Sequence, residues 1–444
     1  MTSDNVIVVK APSSKSLSHR ALIAGALSEG TTVVLDPLDS NDINRTMDCL
    51  ATMGADFNID GTATTVTGME GGPKGGEKEP AVLEMRDSGT TCRLITALAG
   101  AGKGLFRVQG TPRMHDRPIG ALTSALESQG VKVTFSDKHG YPPVTLEAHG
   151  FLGREINISL EESSQYISGL LMGAPLAAET TIINVVGEKA VSWPYVALTL
   201  NVMEDFRIKF EVQAKKDGKW KKTDWRKVEK VVPGEIRFKV EPSKYERDEY
   251  RVEGDWSNAS YFLAAGAVGD KPVKIDGLSV KSLQGDRAIM YILQSMGAKI
   301  ESDEHSVTVY PSKLHGVEVD MSKCPDLVPT VAVVAAFADS PTTITNVAHL
   351  RIKECDRLEA SAAEVMRAGG KAEITGDSIT IIPAPLKKGE RIVFTTYDDH
   401  RLAMCTAIFS LAGLESVPAE PGCVAKSFPG FWDEWAKVTK GNGC

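Results

Sequence analysis

Lys15, Ser16 and Arg20 lie together in the stretch PSSKSLSHRALIAGAL at 12–27. Ser16 and Arg20 are four apart, so on a helix they share one face. Pro12, Ser13 and Ser14 suit the turn and cap that would open such a helix. A helix start already carries partial positive charge, and a lysine and an arginine add to it instead of relieving it. For one helix alone, two solvated surface cations are the plainer reading. Cations gathered at several helix starts would instead make a receptor for anions. Comparable side chains recur wherever a run of small and apolar residues begins: Gly89, Thr90 and Arg93; Ser163, Ser164 and Gln165; Asp326; His400 and Arg401. Short polar stretches add Arg113 and Arg117, Ser192 and Tyr195, Arg351, Lys353, Glu354 and Arg357, and Lys426. Arginine offers a rigid fork to carboxylate or phosphate, and lysine a compact point charge. The set suits a ligand, or a pair of ligands, carrying both kinds of anion. Asp326 and Glu354 among so many cations are the natural proton carriers. Arg351, Lys353 and Arg357 beside Glu354 favour its carboxylate form, which suits a base better than an acid.

These side chains need a scaffold that repeats. Six helix starts of one kind occur, at Ser16, Ser88, Ser163, Asp255, Asp326 and Asp399, and the intervals between them are 72, 75, 92, 71 and 73 residues. Each opens on serine or aspartate, the types that cap helices. The runs that follow, such as ALIAGAL, LITALAGAG and LLMGAPLAA, have no polar face, so each helix is expected to be buried on all sides. A second, amphipathic helix falls in the first five units and ends at a short strand. Gly54, Gly130, Gly297 and Gly370 stand where a left-handed C-cap is expected, with Arg207 in the third copy. Strand-like pieces such as TTVVL, TTIINVV and PVKIDGL follow the first helices. The fold class is therefore α/β, with three repeated units in each half. The first helices of a half should run parallel, with their starts gathered on one surface. Two such surfaces facing each other would make a cleft lined by helix starts. The long interval holds the charge-rich stretches 214–230 and 243–250, read as an exposed hairpin or loop inserted at the join between halves.

Composition excludes several classes. The 444 residues carry 50 basic and 58 acidic side chains, a net charge of −8, which argues against nucleic acid as a partner. Trp220 and Trp225 lie in the basic run, but Asp and Glu are mixed into it, as on a solvated loop. No apolar stretch reaches the roughly 18 residues of a membrane span. The opening MTSDNVIVVKAP has no signal-like pattern. The seven cysteines lack CxxC or Cys/His spacing and read as reduced core thiols of a cytoplasmic protein. Phosphate-loop, dinucleotide, serine-hydrolase and zincin motifs do not occur, and the eight histidines lack paired ligand spacing. These spacings give no metal site.

The segments PSSKSLSHRAL, DSGTTCRL, GTPRMHDRPIGAL, ESSQYISGLLMGAPLA, VSWPY, EGDWSNASYFLAAG, RIKECDRL, YDDHRLAM and AKSFPGF together resemble the 5-enolpyruvylshikimate-3-phosphate synthase (3-phosphoshikimate 1-carboxyvinyltransferase) family. They run in family order from residue 12 to 431. The resemblance implies two inside-out α/β domains, each of three βαβαββ-type units with buried parallel helices, joined by a two-stranded hinge. One domain would span 14–253, with the charged insertion at about 214–250, and the other 1–13 plus 254–444. The implied reaction transfers the enolpyruvyl group of phosphoenolpyruvate to the 5-hydroxyl of shikimate 3-phosphate. It releases phosphate by addition and elimination through a tetrahedral intermediate, without metal or organic cofactor, in aromatic amino acid biosynthesis. The enzyme would be a cytoplasmic monomer acting on small molecules.

By the same resemblance, Lys15, Ser16, Arg20, Ser163, Ser164, Gln165, Ser192, Tyr195, Asp326 and Lys353 hold shikimate 3-phosphate. Lys15, Gly89, Thr90, Arg117, Gln165, Arg357, Arg401 and Lys426 hold phosphoenolpyruvate. Lys15, Asp326, Glu354 and His400 are the implied catalytic group, with Asp326 taking the hydroxyl proton and Glu354 protonating the methylene carbon. The chain departs from the common family pattern at Asp87, Leu94 and His349. Leu94, beside Gly89, is expected to shift its helix slightly and weaken binding of glyphosate, a mimic of phosphoenolpyruvate in this family. Two rivals stand beside this reading. UDP-N-acetylglucosamine enolpyruvyl transferases carry a reactive cysteine on the loop that here reads TPRMHDRPI, which has none. A non-catalytic anion-binding protein would have lost the proton carriers, yet Lys15, Asp326, Glu354 and Lys426 are present.

Overall fold

A computed structural model describes residues 6–443. The opening MTSDN and Cys444 lie outside them. By contact the chain divides into two compact units, Lys15–Val252 and Met1–Ser14 with Glu253–Cys444. At the crossing Ser13 and Gly254 form an antiparallel bridge, and the Ser14 N–H donates to the Glu253 carbonyl at 2.8 Å.

The six apolar runs all form helices, and each is buried nearly all round. They are α1 (Lys15–Ala26), α2 (Gly89–Ala101), α3 (Gln165–Gly173), α4 (Trp256–Val268), α5 (Val328–Ala335) and α6 (His400–Thr406). The capping expectation holds for three of them. Ser88 accepts from Thr91 N, Asp255 from Asn258 N and Asp399 from Arg401 N. Ser16 instead lies inside its helix, and the Ser163 hydroxyl accepts from Gln165 N at 3.2 Å. Asp326 belongs to a short 3-10 turn, Pro325–Leu327, and spends its carboxylate on arginines instead of a cap. Packing between α2 and α3 is close enough to require glycine. A Cβ on Gly169 would stand 2.7 Å from the Ala97 Cβ, and one on Gly173 3.1 Å from the Ala101 Cβ. The two helices therefore run side by side in the same direction.

Sheets wrap these helices in a repeated order. A parallel pair is followed by two antiparallel strands, with the chain's third strand inside the second. Thr31–Leu35, Ala63–Thr67 and Asp56–Asp60 lie in that order, with Glu249–Arg251 returning to pair parallel on the outside. Ala81–Glu84, Lys103–Gln109, Val144–His149 and Lys132–Phe135 repeat it. The second unit opens the same way, with Ile7–Lys10 parallel to Val273–Asp276. The sixth repeat is reduced to Arg391–Phe394 paired with Glu415–Pro418, and helix Phe431–Asn442 takes the place of further strands.

The stretch 214–250 is less foreign than expected. Ile236–Val240 is an inner strand with alternating burial, paired to Thr181–Ala190 on one side and Phe210–Lys216 on the other. Only the segment between Phe210–Lys216 and Ile236–Val240 is extra. It adds the exposed edge strand Lys219–Lys222 and a turn seated by the buried Trp225. Lysines along an edge strand discourage pairing with other chains. The C-cap expectation needs one correction. Gly54, Gly130 and Gly297 have φ of +112°, +88° and +101°, but in the fifth unit it is Gly369, at +110°, and not Gly370. Arg207 itself adopts φ 62° in the third copy, a conformation that disfavours side chains.

Candidate functional site

In the Lys15–Val252 unit the starts of α1, α2 and α3 are tied to one another through arginine and glutamine. Arg20, 1% exposed, donates through Nε to Thr199 Oγ1 at 2.8 Å and through Nη1 to the Ser16 carbonyl at 2.8 Å. Its Nη2 reaches the Tyr195 carbonyl at 3.1 Å and Ser168 Oγ at 3.4 Å. Four of its five N–H groups are thus spent on neutral oxygens. No carboxylate pairs with it among the described residues. Burial lowers its pKa to about 10, and the Tyr195 and Tyr250 phenols only partly offset this. Arg93 is similar: buried, bonded to the Gly89 carbonyl at 3.1 Å and to Gln165 Oε1 at 3.3 Å, with Tyr166 beneath its guanidinium. The Gln165 amide also donates to Thr90 Oγ1 at 2.8 Å, fastening α3 to α2. Arg117 lies across the start of α2. A Cβ on Gly89 would come within 2.5 Å of its guanidinium, so a side chain there would displace the arginine from the start of α2. Ser163, Ser164 and Ser192 are buried around this surface, and Ser192 holds a left-handed backbone at φ 59°.

Lys15 differs from these arginines in having an acid beside it. Its Nζ is 3.0 Å from Asp42, which is 2% exposed in the first turn of helix Asn41–Thr52. Beneath it runs a buried chain of hydroxyls, His19 Nδ1 to Thr46 at 2.8 Å, Thr46 to Thr91 at 2.7 Å and Thr91 to Ser88 at 2.7 Å. Burial, with Lys15 and Arg20 nearby, keeps the His19 ring neutral. The sequence reading missed Asp42, Thr46, Thr91, Ser168 and Thr199. Only Asp42 carried a signal, as an acid on the apolar face of an amphipathic helix.

In the other unit the starts of α4, α5 and α6 meet around carboxylates. Arg357, 2% exposed, reaches Asp399 through Nε at 2.7 Å, Asp326 through Nη1 at 2.9 Å and Glu354 through Nη2 at 2.8 Å. Arg401 holds the other Asp326 oxygen at 2.8 Å and donates to Ser257 Oγ on α4. Burial opposes the charge on Arg357, but Asp399, Glu354 and Asp326 outweigh it and raise its pKa well above the usual value. For Asp326 the balance also favours charge. Desolvation pushes its carboxyl up, and Arg401, Arg357 and Lys353 together bring it below the ordinary range. Lys426, 5% exposed, is 3.8 Å from Glu354. His400, 1% exposed, has Nδ1 3.8 Å from Asp399. His349 is buried on the turn Ala348–Ile352.

Arg351 corrects the sequence reading. It turns away from Glu354, pairing with Asp356 at 2.7 Å and Glu359 at 3.2 Å and capping the Thr375 and Gly376 carbonyls. Among the described residues no group of three or more His, Cys, Asp or Glu could hold a metal ion, and no helix is long and apolar enough to cross a membrane. The six cysteines among the described residues are free thiols, four of them buried.

Comparison with known proteins shows the family and the fold. The family model for EPSP synthase (3-phosphoshikimate 1-carboxyvinyltransferase) matches residues 5–435. A 3-phosphoshikimate 1-carboxyvinyltransferase from a Sulfurovum strain is 39% identical over 427 residues, covering 96% of this chain and 95% of its own. One from Actinobacillus pleuropneumoniae is 38% identical over 437 residues, covering 97% and 96%. Among solved structures, EPSP synthase from Acinetobacter baumannii shares the fold at a TM-score of 0.74 and 23% identity, over 97% of this chain and 95% of that one. An enolpyruvyl transferase from Streptomyces tendae aligns at a TM-score of 0.71 and 17% identity, over 97% and 94%. The chain belongs to the EPSP synthase (3-phosphoshikimate 1-carboxyvinyltransferase) family.

Proposed function

We propose that the protein transfers the enolpyruvyl group of phosphoenolpyruvate to the 5-hydroxyl of shikimate 3-phosphate and releases phosphate. Beyond family membership, the observation that carries this reading is the pair of buried guanidiniums, Arg20 and Arg93, whose partners are all neutral. A buried cation without a counter-charge is costly, and an anionic ligand at these helix starts relieves it. From the Lys15–Val252 unit, Ser16, Ser163, Ser164, Gln165, Ser192 and Tyr195 surround shikimate 3-phosphate, with Arg20 able to give one remaining N–H. Gly89, Thr90, Arg117 and Gln165 receive phosphoenolpyruvate, and Lys15 serves both ligands. From the other unit, Arg357, Arg401 and Lys426 act on phosphoenolpyruvate, and Asp326 and Lys353 on the acceptor.

In the addition step the acceptor oxygen bonds to C2 of phosphoenolpyruvate and its proton passes to Asp326, while C3 gains a proton from Glu354. Asp326 is held ionised and is a weak base, so it takes the proton only as the C–O bond forms. Glu354 and Lys426, 3.8 Å apart, share the proton delivered to C3. Elimination then returns a proton from the methyl group and expels phosphate. His400 supports this group through Asp399. The enzyme works as a cytoplasmic monomer on small molecules, a reading its free, mostly buried cysteines suit. Phosphate release from phosphoenolpyruvate is expected only when shikimate 3-phosphate is added. Release with UDP-N-acetylglucosamine in its place would favour the sister activity, and release with neither acceptor would overturn the reading.

A further inference from the structure

Tyr397 and Asp398 have φ of 54° and 53°, so two successive residues other than glycine are left-handed just before α6. Aspartate tolerates that region, but for a bulky side chain such as tyrosine it is a genuine outlier. Such a conformation persists only where its surroundings hold it. The holder here is Glu364, a carboxylate 1% exposed in the helix Arg357–Arg367, which the mechanism above does not use. Its Oε1 accepts from the Tyr397 hydroxyl at 2.9 Å, and its Oε2 from Thr395 N at 3.1 Å. Arg367, one turn further on, supplies the counter-charge through Nε at 2.9 Å and reaches Thr395 Oγ1 through Nη2 at 3.4 Å. Beside these anchors the Thr396 hydroxyl donates to Glu420, and the Thr396 carbonyl accepts from Asp399 N at 2.8 Å.

The segment so held leads straight into the arginine cluster, and Asp399 is its joint. The Asp399 carboxylate accepts from Arg357 Nε at 2.7 Å and Nη2 at 3.3 Å, and from Arg401 N at 2.9 Å. A shift of Asp399 therefore moves the guanidinium of one arginine and the backbone of the other. Arg357 and Glu364 stand two turns apart on one helix, so a single helix face grips the segment at both Asp399 and the left-handed turn. We propose that Glu364 is a positioning residue for phosphoenolpyruvate: by holding the turn at 397–398 it places Asp399, and through Asp399 it aims Arg357 and Arg401. Released, the turn relaxes toward ordinary φ values, and both arginines lose their aim while keeping their charge. The inference rests on the assignment of Arg357 and Arg401 to phosphoenolpyruvate.

The test measures Glu364→Gln in two backgrounds, the parent and Asp398→Gly, with urea unfolding to verify that each sample is folded. In the parent background Glu364→Gln is expected to raise the KM for phosphoenolpyruvate about tenfold, with a smaller change in kcat. Affinity for shikimate 3-phosphate alone, by calorimetric titration, is expected to stay unchanged, since most residues assigned to it lie in the Lys15–Val252 unit. Glycine enters the left-handed region freely, so in Asp398→Gly the turn needs less holding. Glu364→Gln is therefore expected to raise KM only about threefold or less over Asp398→Gly itself. An equal rise in the two backgrounds, or an equal loss of affinity for the two ligands, overturns the proposal. Tyr397→Phe removes only the hydroxyl and leaves Glu364 its bonds to Arg367 and Thr395, so it serves if Glu364→Gln does not fold. Its KM for phosphoenolpyruvate is expected to rise about threefold, and an unchanged KM overturns the proposal as well. Hydrogen exchange gives a readout without substrate. The amides of Asp399 and Arg401 are expected to exchange about tenfold faster in Glu364→Gln or Tyr397→Phe than in the parent, and unchanged rates overturn the proposal. Should the parent fail to turn over phosphoenolpyruvate with shikimate 3-phosphate, the proposed function falls and the exchange comparison alone decides whether Glu364 holds the turn.

Discussion

Arg20 and Arg357 are both fully buried, and each spends four of its N–H groups inside its own unit. Arg20 spends them on two hydroxyls and two carbonyls. Arg357 spends them on three carboxylates. The consequence is opposite: burial brings Arg20 down to about 10, whereas Asp399, Glu354 and Asp326 overcome burial and carry Arg357 far above its ordinary value. The repeat that builds both halves has been given two electrostatic fillings. In one, serines and threonines leave positive charge for a ligand to neutralise. In the other, acids and bases neutralise one another, and the carboxylates they hold can carry protons. Removing a charge should therefore injure function in the first half and stability in the second.

The largest effect is expected at Lys15. Lys15→Met should lower kcat/KM by about a thousandfold or more, read as phosphate release, with the protein still folded. Asp42 loses its partner in that variant, but its place in a first helical turn favours negative charge. Asp42→Asn added to Lys15→Met should recover stability and no activity. An active Lys15→Met enzyme would remove the residue this account leans on most.

Arg357→Ala tests the opposite half. Three carboxylates then lose a buried partner, and a stability loss of about 3–5 kcal/mol is expected from urea unfolding. A loss below about 1 kcal/mol would mean that the carboxylates are satisfied without it. Asp326→Asn should show a smaller, pH-dependent effect. The folded carboxyl lies below its unfolded value of roughly 3.9, so its contribution is present above that pH and is lost as pH falls through it. The parent should be more stable than Asp326→Asn at pH 7, and the gap should close on acidification below about pH 4. A gap unchanged at pH 3 would contradict the assignment of charge to Asp326. The smallest stability change belongs to Ser164→Ala. Ser164 makes no capping bond, so the change should stay within about 0.5 kcal/mol, while affinity for shikimate 3-phosphate falls about tenfold. Equal losses of stability in Ser164→Ala and Arg357→Ala would erase the contrast between the halves.

Much of the scaffold was legible because its signal is physical and repeated. An all-apolar run opening on serine or aspartate can only be a buried helix with a polar start, and it occurs six times at nearly constant spacing. The cations at those starts could be read for the same reason. What escaped was partnership. Thr199 and Ser168 are ordinary helix residues until Arg20, 179 and 148 positions away, reaches them. Arg351 looked like a neighbour of Glu354 by sequence, but the turn from Ala348 to Ile352 sends it toward Asp356 and the Thr375 and Gly376 carbonyls. Asp326 stands where Asp255 and Asp399 cap their helices, yet Pro325 sets a 3-10 turn there and two arginines claim the carboxylate. Ile236–Val240 lies within the charged stretch, where flanking charges mask its alternation.

Calorimetric titration of shikimate 3-phosphate alone, into the parent and into Arg20→Gln at low salt, is the most direct test of the unneutralised half. The glutamine can keep neutral hydrogen bonds but not the charge, and urea unfolding of the same samples verifies that it is folded. Binding to the parent and a loss of at least about tenfold in folded Arg20→Gln is the predicted result. Equal affinity in the two proteins would contradict the claim that the buried charge of Arg20 is held in reserve for an anion.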